Sequence, residues 1–129
     1  MEVNVALDTN AYSDFMRGKD ERVRVVRAAR SIALPLIVLG ELRAGFAADD
    51  RESANAANLQ RFLASSRVSV LLPDEQTAHH YAQLHLQLRT KGAAIPTNDL
   101  WIASLTVQHD LVLCTSDRHF DHLPQLVTC

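Results

Sequence analysis

The chain has 129 residues, of which 47% are hydrophobic and 22% are charged. This length suffices for one domain with a full core, and the composition argues against intrinsic disorder. The formal net charge of −2 gives no support to a general polyanion-binding protein. A cluster of acids in one site would, however, offset the charge of basic residues around it, so the net charge does not exclude such a protein.

Short apolar runs alternate with helical patterns along the chain. In the first half of the chain, the patterns predict a strand at 3–7 (VNVAL), helices at 10–17 and 20–30 divided by Gly18, a strand at 31–34 (SIAL) ended by Pro35, and a helix at 51–65. In the second half they predict a strand at 67–72 (RVSVLL) ended by Pro73, helices at 75–92 and about 97–109, and a strand at 111–115 (LVLCT). A short helical turn and a terminal LVTC segment follow. The run at 36–48 (LIVLGELRAGFAA) is ambiguous between strand and helix. Its length and its Ala, Leu and Glu content favour a helix.

Strands that alternate with helices and are almost continuously apolar are typical of a parallel sheet covered on both faces. We therefore expect an α/β fold, a three-layer α/β/α sandwich with a mainly parallel central sheet. No repeat, linker or low-complexity tract divides the chain, so we expect a single domain over residues 1–129.

The sequence carries no signal for export or for the membrane. Its first ten residues, MEVNVALDTN, lack the basic and apolar regions of a signal peptide, and no apolar run approaches the length of a membrane span. Cys114 and Cys129 form neither a disulfide framework nor a zinc-ligand spacing. We expect a cytoplasmic protein with reduced thiols and no membrane contact.

Four acidic residues occupy positions that point to a shared site. Asp8 and Asp117 each follow a predicted strand, and ligands of open α/β sheets bind at the carboxyl ends of strands. Glu41 lies in an apolar run, where a charge needs a partner, a metal or a solvated cleft. Asp99 stands in the first turn of a helix. Each acid alone has another explanation, as a helix cap, a helix-dipole acid or a partner of Arg43; together they favour one site.

Four segments carry a family resemblance: VALDTNAYSDFMRG, IVLGELRAGF, IPTNDLWIAS and LCTSDRHFDHL. They resemble the acidic motifs of PIN-domain proteins, and among these most closely the VapC-type toxin ribonucleases of bacterial and archaeal toxin–antitoxin pairs. The resemblance covers nearly the whole chain, in the expected order. It implies a PIN-like fold and an acidic catalytic and metal-binding site formed by Asp8, Glu41, Asp99 and Asp117.

The resemblance extends to residues around these acids. Supporting polar positions of the family fall on Asn10, Thr115 and Ser116. Gly40 departs from the family, which often has a small hydroxyl residue before the glutamate. Asp121 is a candidate for a fifth acid.

The resemblance implies a metal-dependent endoribonuclease that hydrolyses RNA, held inactive by a cognate antitoxin and assembled as a homodimer. The chemistry agrees, because hydrolysis of a phosphodiester needs an activated water and stabilisation of charge on the phosphoryl oxygens. Oxygen-only ligands favour Mg²⁺, or Mn²⁺, over zinc. Two alternatives stay open: a PIN-like RNA-binding module without catalysis, and a phosphatase or phosphotransfer domain. A dehalogenase-like phosphatase would have Asp-x-Asp where this chain has Asp8-Thr9-Asn10.

Histidines and basic residues give weaker signals. His79, His80 and His85 lack the i, i+4 spacing of a helical zinc pair, whereas His119 and His122 lie near enough to Asp117 to touch metal or phosphate, or to form a surface turn. The densest basic stretch is either a solvated helix face or a contact for the RNA backbone. It comprises Arg17, Lys19, Arg22, Arg24, Arg27 and Arg30.

Overall fold

A parallel sheet forms the centre of the computed structural model, which describes residues 3–129. Within these residues the strands are β1 (Asn4–Leu7), β2 (Ser31–Pro35), β3 (Val68–Leu71), β4 (Val112–Cys114) and β5 (Val127–Thr128). Their order across the sheet is β3-β2-β1-β4-β5, and every neighbouring pair is parallel. The expected three-layer α/β/α architecture is confirmed.

Helices connect the strands at the places that the sequence predicts. Those of the described residues are α1 (Thr9–Met16), α2 (Asp20–Ala28), α3 (Leu36–Ala47), α4 (Glu52–Leu63), α5 (Glu75–Thr90) and α6 (Thr97–Gln108), followed by a 3₁₀ turn at Arg118–His122. The ambiguous run is helix α3, whose Val38 and Leu42, one turn apart, are both buried. The helix α5 ends just before Gly92, which adopts a φ of 71° that favours glycine.

Most element ends lie within one or two residues of the prediction, and two of the differences have a clear physical cause. The pattern at 20–30 continues to Arg30, but α2 ends at Ala28 because the backbone N–H of Arg30 donates to the carbonyl oxygen of Val3, at 2.8 Å, as the chain enters the sheet. The second strand was expected to stop at residue 34, just before Pro35. Pro35 is instead the last residue of β2, beside Leu71 in the register, and the N-cap of α3.

The strand β1 is the centre of both the sheet and the core. Its residues Val5, Ala6 and Leu7 are completely buried. The chain adds β2 and β3 on one side of β1 and then β4 and β5 on the other side. Parallel sheets that change direction in this way open a crevice at the carboxyl ends of the two central strands, here β1 and β4. No helix in residues 3–129 is long and apolar enough to span a membrane.

Candidate active site

A cleft of about 510 Å³ opens at the carboxyl ends of β1 and β4. It brings together side chains from the residue that follows β1, from α1, α3 and the start of α6, and from the segment after β4. All four acids singled out in the sequence line it, namely Asp8, Glu41, Asp99 and Asp117. Hereafter they are called the four acids.

Asp8 combines a structural and a site position. It is the N-cap of α1, and its Oδ1 accepts a hydrogen bond from the backbone N–H of Ala11 at 2.8 Å. Its Oδ2 accepts a hydrogen bond from the hydroxyl of Thr115. Burial raises the pKa of Asp8, and these two hydrogen bonds oppose the rise because they stabilise the charged form. Asp8 therefore caps α1 and lines the cleft at the same time.

Thr115 joins the two central strands at the site. The register pairs Leu7 with Cys114, so the next residues along the strands, Asp8 and Thr115, lie side by side. Besides donating to Asp8, the Thr115 Oγ1 accepts a hydrogen bond from the backbone N–H of Asp117 at 2.9 Å. One hydroxyl thus fixes the carboxylate of one acid and the backbone of another.

Removal of the Thr115 hydroxyl is expected to destabilise the protein. In Thr115→Val the buried carboxylate of Asp8 loses a donor, which should lower the free energy of unfolding by about 2 kcal/mol at pH 7 in EDTA. Urea denaturation measures the effect. Thr115→Ser is the matched control, because it keeps the hydroxyl and should stay close to wild type. A Thr115→Val variant that is as stable as wild type would contradict this role of the hydroxyl.

Asp117 is fixed by the turn that follows it. It is the N-cap of the 3₁₀ turn, and its Oδ1 accepts a hydrogen bond from the backbone N–H of His119 at 2.9 Å. The Nδ1 atom of the same histidine also lies 2.9 Å from this oxygen. Potential ligand atoms of Asp99, Asp117 and His119 all lie within 4.8 Å of one another. His119 thus joins the rim of the site, one of the two outcomes that the sequence left open.

Glu41 obtains its hydrogen-bond partners from neighbouring elements. Thr9 at the start of α1 donates to Oε1 at 2.7 Å, and Asn98 in the first turn of α6 donates to Oε2 at 3.4 Å. The sequence offered Arg43 as a partner, but that side chain is not among the groups bonded to Glu41. Thr9 and Asn98 were missed as site residues, although each is adjacent to one of the four acids in the sequence.

Asp99 is the most electrostatically crowded of the four acids. The N-cap of α6 is Pro96, which provides no side-chain cap, and Asp99 lies in the uncapped first turn. Burial, and then the negative charges of Asp117, Glu41 and Asp8, raise the pKa of Asp99 to about 6. Such repulsion is what a bound cation would relieve, and donors that are mainly carboxylate oxygens fit a hard divalent ion.

The remaining predicted residues divide around the cleft. Asn10 lines it, whereas Ser116 is exposed and does not. Asp121 does not line the cleft and forms an exposed ion pair with Arg118, at 3.6 Å. His122 lies outside the cleft lining, and its backbone oxygen accepts a hydrogen bond from Lys91 at 2.7 Å.

Comparison with known proteins identifies the family of the chain. The family model for the PIN domain matches residues 5–126. The chain belongs to the PIN-domain family. Within it, this PIN domain is 32% identical to Ribonuclease VapC2 of Rickettsia felis over 98 residues, covering 75% of this chain and 72% of the relative. It is 31% identical to Ribonuclease VapC4 of Mycobacterium tuberculosis over 91 residues, covering 70% of each. These relatives make it a VapC-type PIN domain.

Solved structures of VapC-type proteins share the fold. The crystal structure of VapBC2 from Rickettsia felis, bound to a DNA fragment from its promoter, matches this PIN domain with a TM-score of 0.87 at 27% identity, covering 98% of this chain and 97% of that chain. The DNA-bound VapBC from Salmonella typhimurium matches with a TM-score of 0.85 at 28% identity, covering 98% and 97%. The VapC-type PIN fold therefore extends over almost the whole chain.

Proposed function

We propose that this VapC-type chain is a Mg²⁺-dependent endoribonuclease toxin, acting as a single PIN domain over residues 1–129. Its catalytic and metal-binding residues would be Asp8, Glu41, Asp99 and Asp117. The observation that carries the proposal is the convergence of these four acids in one cleft, and the crowding is consistent with the pKa of Asp99, which burial and the other three acids raise to about 6. Four acids of distant sequence position share one cleft, and their mutual repulsion makes a cation the natural occupant.

The donor set favours Mg²⁺, with Mn²⁺ as a second candidate. Carboxylate oxygens prefer hard divalent cations. His119 at the rim adds one nitrogen atom that could also reach a metal beside Asp99 and Asp117. Bound there, a divalent ion would supply positive charge that polarises the phosphodiester and favours the ionised form of a nucleophilic water.

The residues around the four acids hold the carboxylates in fixed orientations. The hydrogen bonds that fix Asp8, Glu41 and Asp117 come from within the fold, so these carboxylates are oriented before any ligand enters. Charged groups that are already oriented need little rearrangement as charge develops during hydrolysis, which is the main source of electrostatic catalysis. Thr115 contributes by holding Asp8 in place.

A groove between α1, α3 and α4 is our candidate path for the RNA backbone. It has a volume of about 460 Å³ and shares Thr9 and Glu41 with the acidic cleft. Arg17 and Arg51 line it and offer positive charge to phosphates. Arg17 belongs to the basic stretch predicted in the sequence and lines this groove, so we propose that it contacts a substrate of single-stranded or looped RNA.

The partners that we propose are a cognate antitoxin and a second copy of the chain. The solved relatives are VapBC toxin–antitoxin complexes, which supports an antitoxin here. A cationic antitoxin side chain in the cleft would compete with the metal for the same carboxylates. For the homodimer, an open apolar surface is available beside α3, where Leu36 is 44% and Leu72 is 61% exposed.

Metal-dependent cleavage of RNA tests the proposed activity. The purified chain should cut a mixed single-stranded RNA in Mg²⁺ or Mn²⁺, lose this activity in EDTA, and regain it when excess metal is restored. Expressed without its antitoxin, it should arrest cell growth. Cleavage that survives rigorous chelation would refute the metal mechanism. Binding of RNA without cleavage by the metal-loaded protein would favour the non-catalytic binding module.

A further inference from the structure

Two cysteines that lie far apart in the sequence face each other in the sheet. The strand β5 runs parallel to β4 with Leu113 beside Thr128, so the next residues in register are Cys114 and Cys129. The backbone continues this pairing, because the N–H of Cys129 donates to the carbonyl oxygen of Leu113 at 2.9 Å. Both cysteines are free thiols in this structure.

The two sulfur atoms are already close to bonding distance. The Sγ atoms of Cys114 and Cys129 are 2.8 Å apart, against about 2.05 Å in a disulfide. Neighbouring strands lie about 4.7–4.9 Å apart, within the range of Cα separations that disulfides span. The bond therefore needs an approach of less than about 1 Å and no change of strand pairing.

The environments of the two thiols differ in a way that suits stepwise oxidation. Cys129 is exposed and Cys114 is buried. A hydrogen bond from the Cys114 thiol, together with the positive charge of Arg22, lowers the pKa of Cys129 to about 7. The same hydrogen bond and burial raise the pKa of Cys114. A thiolate reacts with peroxides and a thiol does not, so Cys129 is placed to react first and Cys114 to resolve the product.

We propose that Cys114 and Cys129 form an oxidisable dithiol whose substrate class is hydroperoxides. The Cys129 thiolate attacks one peroxide oxygen; the O–O bond breaks, a sulfenic acid forms, and the hydroxide that leaves takes up a proton to become water. The sulfur of Cys114 then attacks the sulfenic sulfur. The S–S bond forms, the S–O bond breaks, and the departing hydroxide leaves as water with the Cys114 proton. Overall, two thiols and one hydrogen peroxide give one disulfide and two waters.

The position of this bond links it to the acidic cleft. Cys114 directly precedes Thr115, whose hydroxyl contacts Asp8 and whose backbone N–H donates to the carbonyl oxygen of Cys129 at 3.2 Å. The disulfide would close a loop that contains Asp117 and the 3₁₀ turn. It would therefore fasten the wall of the cleft formed by the end of β4, whether or not the chain cuts RNA.

Oxidation of the full chain by hydrogen peroxide tests the proposal without any measurement of RNA cleavage. We expect titratable thiols to fall from two to none, the intact mass of the monomer to drop by two hydrogens, and dithiothreitol to reverse both changes. The melting temperature of wild type should rise by about 5–10 °C on oxidation, because a closed loop restricts the unfolded chain.

Single variants separate the two roles. Cys114→Ser should stop at a sulfenic acid on Cys129 that dimedone traps, whereas Cys129→Ser should consume peroxide at least about tenfold more slowly. Neither variant should show the oxidation-dependent rise in melting temperature. The proposal is overturned if native wild type keeps both thiols in excess peroxide while the urea-unfolded chain oxidises, or if the disulfide forms between chains.

Discussion

Asp8→Asn and Asp99→Asn are each expected to lower the rate of RNA cleavage by about 10²–10³-fold or more. Each substitution removes one negative charge from the proposed metal site and leaves a side chain of nearly the same shape, so transition-state stabilisation by the metal is lost without a steric change. Asn is as good an N-cap as Asp, so the start of α1 should survive the first substitution. Initial rates of cleavage of a labelled RNA in saturating Mg²⁺ measure the effect.

Asp121→Asn is the matched control for these substitutions. Asp121 lies close to Asp117 in the sequence but forms an exposed ion pair with Arg118 outside the cleft, so its neutralisation should leave the rate within about threefold of wild type. Circular dichroism and melting curves should show that all three variants fold. Full activity in either Asp8→Asn or Asp99→Asn would contradict the proposed site.

Neutralising Asp99 should stabilise the metal-free protein and destabilise the metal-loaded protein relative to wild type. The pKa of Asp99 in the folded state is about 6, above its ordinary value of 3.8, so the folded state binds this proton more tightly than the unfolded state does. Protonation of Asp99 therefore stabilises the folded state. This stabilisation is fully present below about pH 4 and is lost as pH rises through 6. At pH 7.5 in EDTA, Asp99→Asn should therefore be more stable than wild type by about 1 kcal/mol, after allowance for solvent screening of a partly exposed group.

Excess Mg²⁺ should reverse this order. Metal at about one hundred times its dissociation constant stabilises the folded wild type by about 2.7 kcal/mol and the variant much less. Four melting curves test the crossover: wild type and Asp99→Asn, each in EDTA and in excess Mg²⁺. Asp121→Asn should show no crossover. The metal-site interpretation of Asp99 would be contradicted if Asp99→Asn were less stable than wild type in EDTA, by up to about 1 kcal/mol, and if Mg²⁺ did not change this difference. Asp99 would then only stabilise α6 through the helix dipole.

The parts of this fold that depend on local pattern could be predicted from the sequence. Strand β1 and helix α6 follow from short-range periodicity, and Asp8 and Asp117 could be placed together because carboxyl ends of parallel strands share one edge. The strand order, however, does not follow from periodicity. For Glu41 and Asp99 the local pattern only suggested the same site, and the resemblance to the PIN domain strengthened that assignment.

The contacts that the sequence did not predict are those between elements. The hydrogen bonds of Thr9 and Asn98 to Glu41 join three helices, and nothing in the spacing of these residues requires them. The pairing of Cys114 with Cys129 depends on the register of a strand of two residues, which is too short to give a periodic signal. Arg43 was an alternative partner for Glu41 because it is near in sequence, but residues two apart on a helix do not face each other.

The position of β1 between β2 and β4 also dictates when the cleft can exist during folding. Thr115 and Asp8, which touch across the two strands, are 107 positions apart in the chain. While the intervening residues emerge from the ribosome, one edge of the apolar strand β1 has no neighbour, and such edges are prone to aggregate. The arrival of β4 covers that edge and completes the acidic cleft in the same event. A nascent chain that stops short of β4 therefore lacks a complete acidic cleft and exposes an apolar strand edge. Such a chain should not cut RNA, but it should aggregate and be a substrate for chaperones and proteases.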